Sequence, residues 1–257
     1  MLQIIVIHSS REGTGKSTII ANLAILLASK GLKVGVVDAD LQSGSLRHLM
    51  GLKEVKYTLG DYLFGRCQRT QVVYEISPLL EKPHSGQLFL VPATQDLATL
   101  NQNISERYDI SLFMEGLHDL AEDLKLDTLL IDTHAMLSDN TVFSMLSIAI
   151  ADTLMLVLNL DQKDYQGTGV MVDVARTLEV PRIVLIANQV ATSYDTEYVT
   201  ELLEQTYSCQ VAGILPYTDE IMLMGMSNIF VLSQPTHPIV KRFQRVADIL
   251  ANTAYLA

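Results

Sequence analysis

Gly13, Thr14, Gly15, Lys16, Ser17 and Thr18 stand together in the segment SREGTGKST, residues 10–18, with an apolar run before it and an Ile/Leu/Ala-rich stretch behind it. Glycines at this spacing let backbone N–H groups turn inward. A helix starting behind them adds positive potential, and the two together cradle phosphate. The segment carries the end of the GxxxxGK[ST] pattern, with Ser10 in place of the first glycine. In such a loop the Lys16 ammonium reaches the β and γ phosphates and the Ser17 hydroxyl ligates Mg²⁺, so ATP or ADP with Mg²⁺ is the expected ligand.

Three carboxylates fit the same chemistry. Asp132 closes the apolar run LLID, and Asp38 and Asp40 lie in VVDAD. Taken alone, Asp132 reads equally well as a helix cap. In an open parallel sheet, however, ligands bind at the carboxyl ends of the strands. The loops after residues 7, 37 and 131 would then meet at one rim. Three carboxylates gathered there are costly without a metal or a bound cation.

The elements that must position these groups follow from the apolar pattern. Strands are predicted at 2–7, 33–38, 88–92, 127–132, 153–160, 182–188 and 210–215. Their runs show no alternation, the mark of strands covered on both faces. Helices are predicted at 16–30 (stopped by Gly31), 108–123, 139–149, 164–179 and 196–207. The β-α-β-α order implies an α/β fold, a doubly wound and mostly parallel sheet with helices on both faces. Residues 51–86 are the least regular and read as surface loops with a short helix. No repeat or linker interrupts the chain, and one domain over residues 1–257 is expected.

The bulk composition narrows the function. With 18 Lys and Arg against 29 Asp and Glu, the net charge is −11, which argues against polyanion binding by the whole surface. Cys67 and Cys209 lack metal-ligand spacing and read as reduced thiols. The opening MLQIIVIHSS lacks a basic lead, and no apolar run is long enough to span a bilayer, so a cytoplasmic protein is expected.

The segments REGTGKSTIIANLAILLASKGLKVGVVDADLQSGSLRHLMGL, LDTLLIDTHAML, IADTLMLVLNLDQKDYQGT, VLIANQV and VAGILPYTDEI, in this order, resemble the MinD/ParA family of P-loop ATPases over nearly the whole chain. The resemblance implies an ATP-dependent sandwich homodimer and slow hydrolysis stimulated by an adaptor protein. It also implies a role in positioning plasmids, chromosomes, the division site, flagella, pili or protein organelles such as carboxysomes. Asp38 and Asp40 fall on the family's DxD, one orienting the attacking water and the other supporting Mg²⁺ through water. Asp132 matches the second Mg²⁺-side carboxylate, Asn188 an adenine-binding Asn, and Pro216 with Tyr217 the loop that covers the base.

The departures from the family concern charge. Family members carry KGG where this chain has Arg11-Glu12-Gly13, and the missing Lys normally touches phosphates of the partner's ATP. Arg11 keeps the charge as a planar fork and could serve in its place, like an arginine finger. A Glu12 carboxylate about 6 Å from a phosphate charge costs about 3 kcal/mol at an effective dielectric near 20. It must turn outward, pair with a cation or weaken the dimer. Lys163 is a candidate compensating cation. His134 and Met136 stand after Asp132, where the family often has Pro or a small residue, and His134 reads either as a nucleotide sensor or as a satisfied loop residue.

The segment PIVKRFQRVADILANTAYLA is amphipathic, with Ile239, Phe243, Val246 and Leu250 on one stripe and Lys241, Arg242 and Arg245 opposite. It reads as a helix packed on the sheet. The basic side offers a weak nonspecific DNA patch, which would associate the protein with the nucleoid. No membrane anchor is expected, since the chain ends AYLA where division-site members carry a further basic tail. Met222, Met224 and Met226 read as packing beside the base-covering loop, with a partner surface as the other reading. Two functions stay open: a dimerising, partner-activated ATPase, and a catalytically weak nucleotide-binding scaffold. A metabolic or metal-cofactor enzyme on this architecture is disfavoured, because there is no CxxC pair and no second substrate domain.

Overall fold

The computed structural model describes residues 2–40, 44–80, 86–93, 110–135, 142–225 and 228–252. His84, Met136, Met226, the first residues of the helices expected from 108 and 139, and the terminal AYLA lie outside the described residues.

Eight strands form one sheet: β1 (Gln3–His8), β2 (Lys33–Asp38), β3 (Tyr74–Glu75), β4 (Gln87–Val91), β5 (Thr128–Asp132), β6 (Thr153–Leu158), β7 (Arg182–Val190) and β8 (Gln210–Pro216). Their spatial order is β3-β4-β2-β5-β1-β6-β7-β8. All pairs are parallel except β3–β4, where Tyr74 faces Leu90. Among the described residues, the helices are α1 (Lys16–Ser29), α2 (Ser45–Leu49), α3 (Leu59–Leu63), α4 (Ile110–Leu124), α5 (Val142–Ala149), α6 (Gln162–Thr177), α7 (Thr196–Tyr207), α8 (Asp219–Met224), α9 (Phe230–Ser233) and α10 (Pro238–Ala251). The expected fold class is the one observed. The irregular stretch holds α3, two 3₁₀ turns and β3, the single antiparallel strand.

The absence of alternation in the strands has the expected cause: every residue of β1, β5 and β6 is buried. Ile4 and Val6 of β1 face one core layer with Phe113, Phe143 and Leu203. Ile5 and Ile7 face the other, with Leu23, Leu27, Phe243 and Leu250. Each such side chain contributes about 1.5–3 kcal/mol of transfer free energy. The amphipathic terminal segment is α10, its apolar stripe Ile239, Phe243, Val246 and Leu250 buried on the second layer.

The sheet reverses direction at β1, because β1 leads to β2 on one side and β5 leads to β6 on the other. Parallel pairing brings the ends of β1, β2 and β5 to one rim. Ile7 is level with Asp132, and Asp38 is level with Asp132. The ordinary ligand position of such a sheet is this crevice.

Candidate functional site

The loop between β1 and α1 has the backbone its glycines require. Gly13 has φ +77° and Gly15 φ +91°, and a β-carbon on Gly15 would lie 2.4 Å from Asn188 Nδ2. Gly15 is the N-cap of α1 and supplies no side-chain cap, so the first-turn N–H groups of α1 stay available to a ligand. Thr14 is buried, and its Oγ1 has no partner among the described residues. Lys16, 8% exposed, donates from Nζ to Ser9 Oγ at 3.0 Å. Among the described residues it forms no ion pair. A buried cation that reaches no carboxylate at ion-pair distance among the described residues suits an anion at this place.

The carboxylates converge as the rim geometry requires. Ser17 donates its hydroxyl to Asp132 Oδ2 at 2.6 Å, and Ser45 donates to Ser17 Oγ at 2.8 Å. Asp38 Oδ2 accepts from the Leu46 backbone N–H at 3.3 Å. The second oxygen of each acid, Asp38 Oδ1 and Asp132 Oδ1, is buried without a partner among the described residues. Burial pushes the Asp132 carboxyl up to about 6, with repulsion from Asp40 adding to it and Lys16 and the Ser17 hydrogen bond opposing. Burial, and then repulsion from Asp132 and Asp40, pushes Asp38 well above the carboxylate range. Unused carboxylate oxygens beside a hydroxyl are a donor set that fits a divalent cation of the Mg²⁺ kind. Among the described residues no three His, Cys, Asp or Glu side chains form a metal-holding group. The groups that could surround such a cation are the Ser17 hydroxyl and the carboxylates of Asp38 and Asp132.

The atypical residues of the loop are engaged within the chain. Arg11 donates from Nε to Asp164 Oδ1 at 2.6 Å and from Nη2 to Asp161. Asp161 is the N-cap of α6, and the fully buried Asp164 also accepts from the Asn159 N–H at 2.7 Å. Arg11 thus ties the phosphate loop to the start of α6 rather than projecting from it. The Glu12 side chain is turned outward, 72% exposed, with Oε1 3.9 Å from His134 Nε2. Lys163 is exposed on α6 and forms no ion pair among the described residues, and Glu12 has His134 beside it. His134 Nδ1 lies 3.0 Å from Asp40 Oδ1, and that hydrogen bond raises the imidazole pKa. His8, fully buried, donates from Nδ1 to Thr133 Oγ1 at 2.8 Å, since the Thr133 hydroxyl is itself spent on Ile7 O. Burial, with Lys16 and His134 nearby, holds the His8 imidazole down to about 3 and therefore neutral.

Beside the loop lies a cleft of about 260 Å³. Gly15, Asn188, Pro216, Tyr217 and Met222, all singled out from the sequence, line it together. Asn188 spends its Nδ2 on Thr14 O at 2.7 Å, bracing the loop while facing the cleft. Gln189, not singled out from the sequence, does the same to Gly13 O at 3.1 Å, from a backbone with φ +55°. A non-glycine residue in that region is uncommon, and no sequence pattern marks it. Ser9 and Ser45 also escaped the sequence reading, because a serine's role here is set by what packs against it. Met222 lines the cleft beside Pro216 and Tyr217, but with 53% of it exposed it is not packed as the sequence reading expected.

The basic side of α10 is partly spent. Arg242 donates to Ile214 O at 3.1 Å, and both Arg242 and Arg245 share a cleft with Glu197 and Glu201. Cys209 is buried and Cys67 half-buried, and both are free thiols. Among the described residues no helix is long and apolar enough to cross a membrane.

Comparison with known proteins agrees with this geometry. A family model described as an AAA domain matches residues 2–182. An uncharacterised ATP-binding protein of Methanocaldococcus jannaschii is 28% identical over 254 residues, covering 98% of this chain and 89% of that protein. The septum site-determining protein MinD of Bacillus subtilis is 28% identical over 230 residues, covering 86% and 79%. The crystal structure of MinD from Pyrococcus horikoshii, complexed with Mg-ADP, superposes with a TM-score of 0.81 at 24% identity over 99% of this chain and 98% of that one.

Proposed function

From a chain that belongs to the MinD/ParA family of P-loop ATPases, we propose an ATP-dependent switch that hydrolyses slowly and positions an intracellular cargo. In this reading two copies close face to face on ATP-Mg²⁺, and an adaptor protein stimulates hydrolysis and release. The observation that carries the reading is the meeting of Lys16, Ser17, Asp38, Asp40 and Asp132 at one rim, with Ser17 bonded to Asp132 at 2.6 Å.

Each residue then has a task. The loop amides and the start of α1 bind the phosphates, and Lys16 offsets charge on the β and γ oxygens. Mg²⁺, when bound, supplies positive charge to the phosphate oxygens, with Ser17 as its hydroxyl ligand and Asp38 and Asp132 around it. Asp40, on the outer side of the rim, orients the attacking water and accepts its proton. Hydrolysis breaks the bond between the γ phosphorus and its bridging oxygen, and the released products are ADP and phosphate. Asn188, Pro216 and Tyr217 line the cleft that receives the base.

A second reading, a nucleotide-binding scaffold with weak turnover, draws on Arg11 being tied within its own chain and on an exposed Glu12 beside the loop. DNA as the surface draws only on Lys241, Arg242 and Arg245, and the opposing Glu197 and Glu201 weaken it. The test is light scattering after size exclusion on Asp40→Ala, with ATP and with ADP, alongside calorimetry on Lys16→Ala. The switch predicts a doubled mass with ATP alone and loss of ATP binding in Lys16→Ala. A monomeric mass throughout, with ATP bound, favours the scaffold.

A further inference from the structure

We propose that His134 is a positioning residue for ATP hydrolysis, acting through Asp40, an inference that rests on the ATPase reading above. The motivating arrangement is a buried hydrogen bond across the rim, from His134 to Asp40. His134 stands between Asp40, with Nδ1 3.0 Å from Oδ1, and Glu12, whose Oε1 is 3.9 Å from Nε2. The imidazole is nearly buried, with a side chain 10% exposed, and Asp40 is equally enclosed at 11%. Its backbone is fixed as well. It lies two residues after the end of β5, its carbonyl accepts from the Ser144 hydroxyl at 3.2 Å, and Ala135 next to it is fully buried.

The backbone around Asp40 is held by hydrogen bonds from Ala39 N to Asp132 O at 2.9 Å and from Gly44 N to Asp40 O at 3.3 Å, and its carboxylate interacts unfavourably with those of Asp38 and Asp132. An N–H donated from Nδ1 gives its carboxylate one fixed orientation. Either the neutral Nδ1–H tautomer or the imidazolium supplies that donor, so the arrangement does not depend on the charge of the ring. Fixing a carboxylate whose task is to aim a water acts on the chemical step and leaves phosphate binding, which falls to Lys16 and the loop amides, unaltered. His134 itself makes no contact required of the reacting atoms. The Glu12 carboxylate lies outside hydrogen-bond reach of the outer nitrogen, at 3.9 Å, and is exposed.

The experiment separates the two nitrogens of the ring. The amide nitrogen of Asn is as many bonds from Cα as His Nδ1, and that of Gln as many as His Nε2. His134→Ala, His134→Asn and His134→Gln are assayed for steady-state ATP turnover with Mg²⁺ and for affinity toward a fluorescent ATP analogue, beside wild type and Asp40→Ala. Circular dichroism checks the fold. The expected result is a kcat about tenfold lower in His134→Ala and His134→Gln, with KM and analogue affinity within about twofold. His134→Asn should return kcat to within about twofold of wild type. A wild-type kcat in His134→Ala overturns the proposal, as does a pattern in which Gln rescues and Asn does not. If His134→Ala fails to fold, the Asn and Gln variants decide by the same criterion. Absence of turnover in wild type, with the analogue bound, rejects the ATPase reading and this role with it. Turnover in wild type, lost in Asp40→Ala but indifferent to all three His134 variants, rejects only this role.

Discussion

Replacing Arg11 by Ala should destabilise the nucleotide-free protein by about 2 kcal/mol, and the figure can be worked from the ion pair. The guanidinium Nε lies 2.6 Å from Asp164 Oδ1, and the second arm reaches Asp161. Charge centres about 4 Å apart attract by about 4 kcal/mol at an effective dielectric near 20. Two facts reduce the net value. The Arg11 side chain is 38% exposed, so solvent screens it. Asp164 also keeps its hydrogen bond from the Asn159 N–H at 2.7 Å when the arginine is gone. Halving the attraction leaves about 2 kcal/mol, or about 4–8 °C in melting temperature for a domain of this size. Asp164, fully buried, should make the two sites interdependent. A double-mutant cycle of Arg11→Ala with Asp164→Asn, read by urea unfolding, should give a coupling of about 1–2 kcal/mol. Arg11→Lys should recover only part, because an ammonium cannot serve both carboxylates as a planar fork does. A loss below about 0.5 kcal/mol, or strict additivity in the cycle, would refute the intrachain role. Arg11 would then be free for a partner's phosphates, as the family's loop lysine is.

Asp132→Asn should stabilise the nucleotide-free protein, and more so as the pH rises. The native state holds the Asp132 proton to about 6 against an ordinary value of 3.8, so it binds protons more tightly than the unfolded chain. Stability is therefore fully present below about 4, is lost as pH rises through about 6, and lies about 3 kcal/mol lower above that. Melting curves of both proteins from pH 4 to pH 8 without Mg²⁺ should diverge, and parallel curves would rule the mechanism out. Gly15→Ala should weaken ATP binding at least tenfold, about 1.4 kcal/mol, because its φ of +91° disfavours any Cβ and the added methyl would meet Asn188 Nδ2 at 2.4 Å. Unaltered affinity in calorimetry would mean that Asn188 does not brace the loop.

The strands were legible because burial on both faces leaves an unbroken apolar run, and β1, β5 and β6 are buried at every position. The phosphate loop was legible because its chemistry is local: Gly13, Gly15, Lys16 and Ser17 act within one turn. The rim carboxylates were legible at one remove, through the rule that parallel strands end together. What sequence did not reveal depends on partners far away along the chain. Arg11 finds Asp164, and Asn188 and Gln189 reach back to Thr14 and Gly13. Nothing near Gln189 in the sequence announces its positive φ. The two-residue strand β3 was invisible for another reason, since Tyr74–Glu75 is too short to show a period.

The departures at Arg11, Glu12 and His134 make physical sense only together. A Glu at position 12 is costly if it faces the phosphates, yet in this fold it is turned out, toward an imidazole 3.9 Å away. That imidazole is fixed by Asp40, so the ring cannot swing off to follow Glu12. Arg11, next to Glu12, is held by the two carboxylates at the start of α6, which fixes the loop on its other side. The loop is thus held by the Arg11 ion pairs on one side, with Glu12 turned out on the other. Glu12→Gly would remove a like charge beside any phosphate-bearing surface that meets this face. Glu12→Gly should therefore improve association of two copies with ATP, and do so in the Asp40→Ala background as well, where turnover no longer dissolves the dimer. The same change combined with His134→Ala should lower turnover about tenfold, whatever it does to the mass.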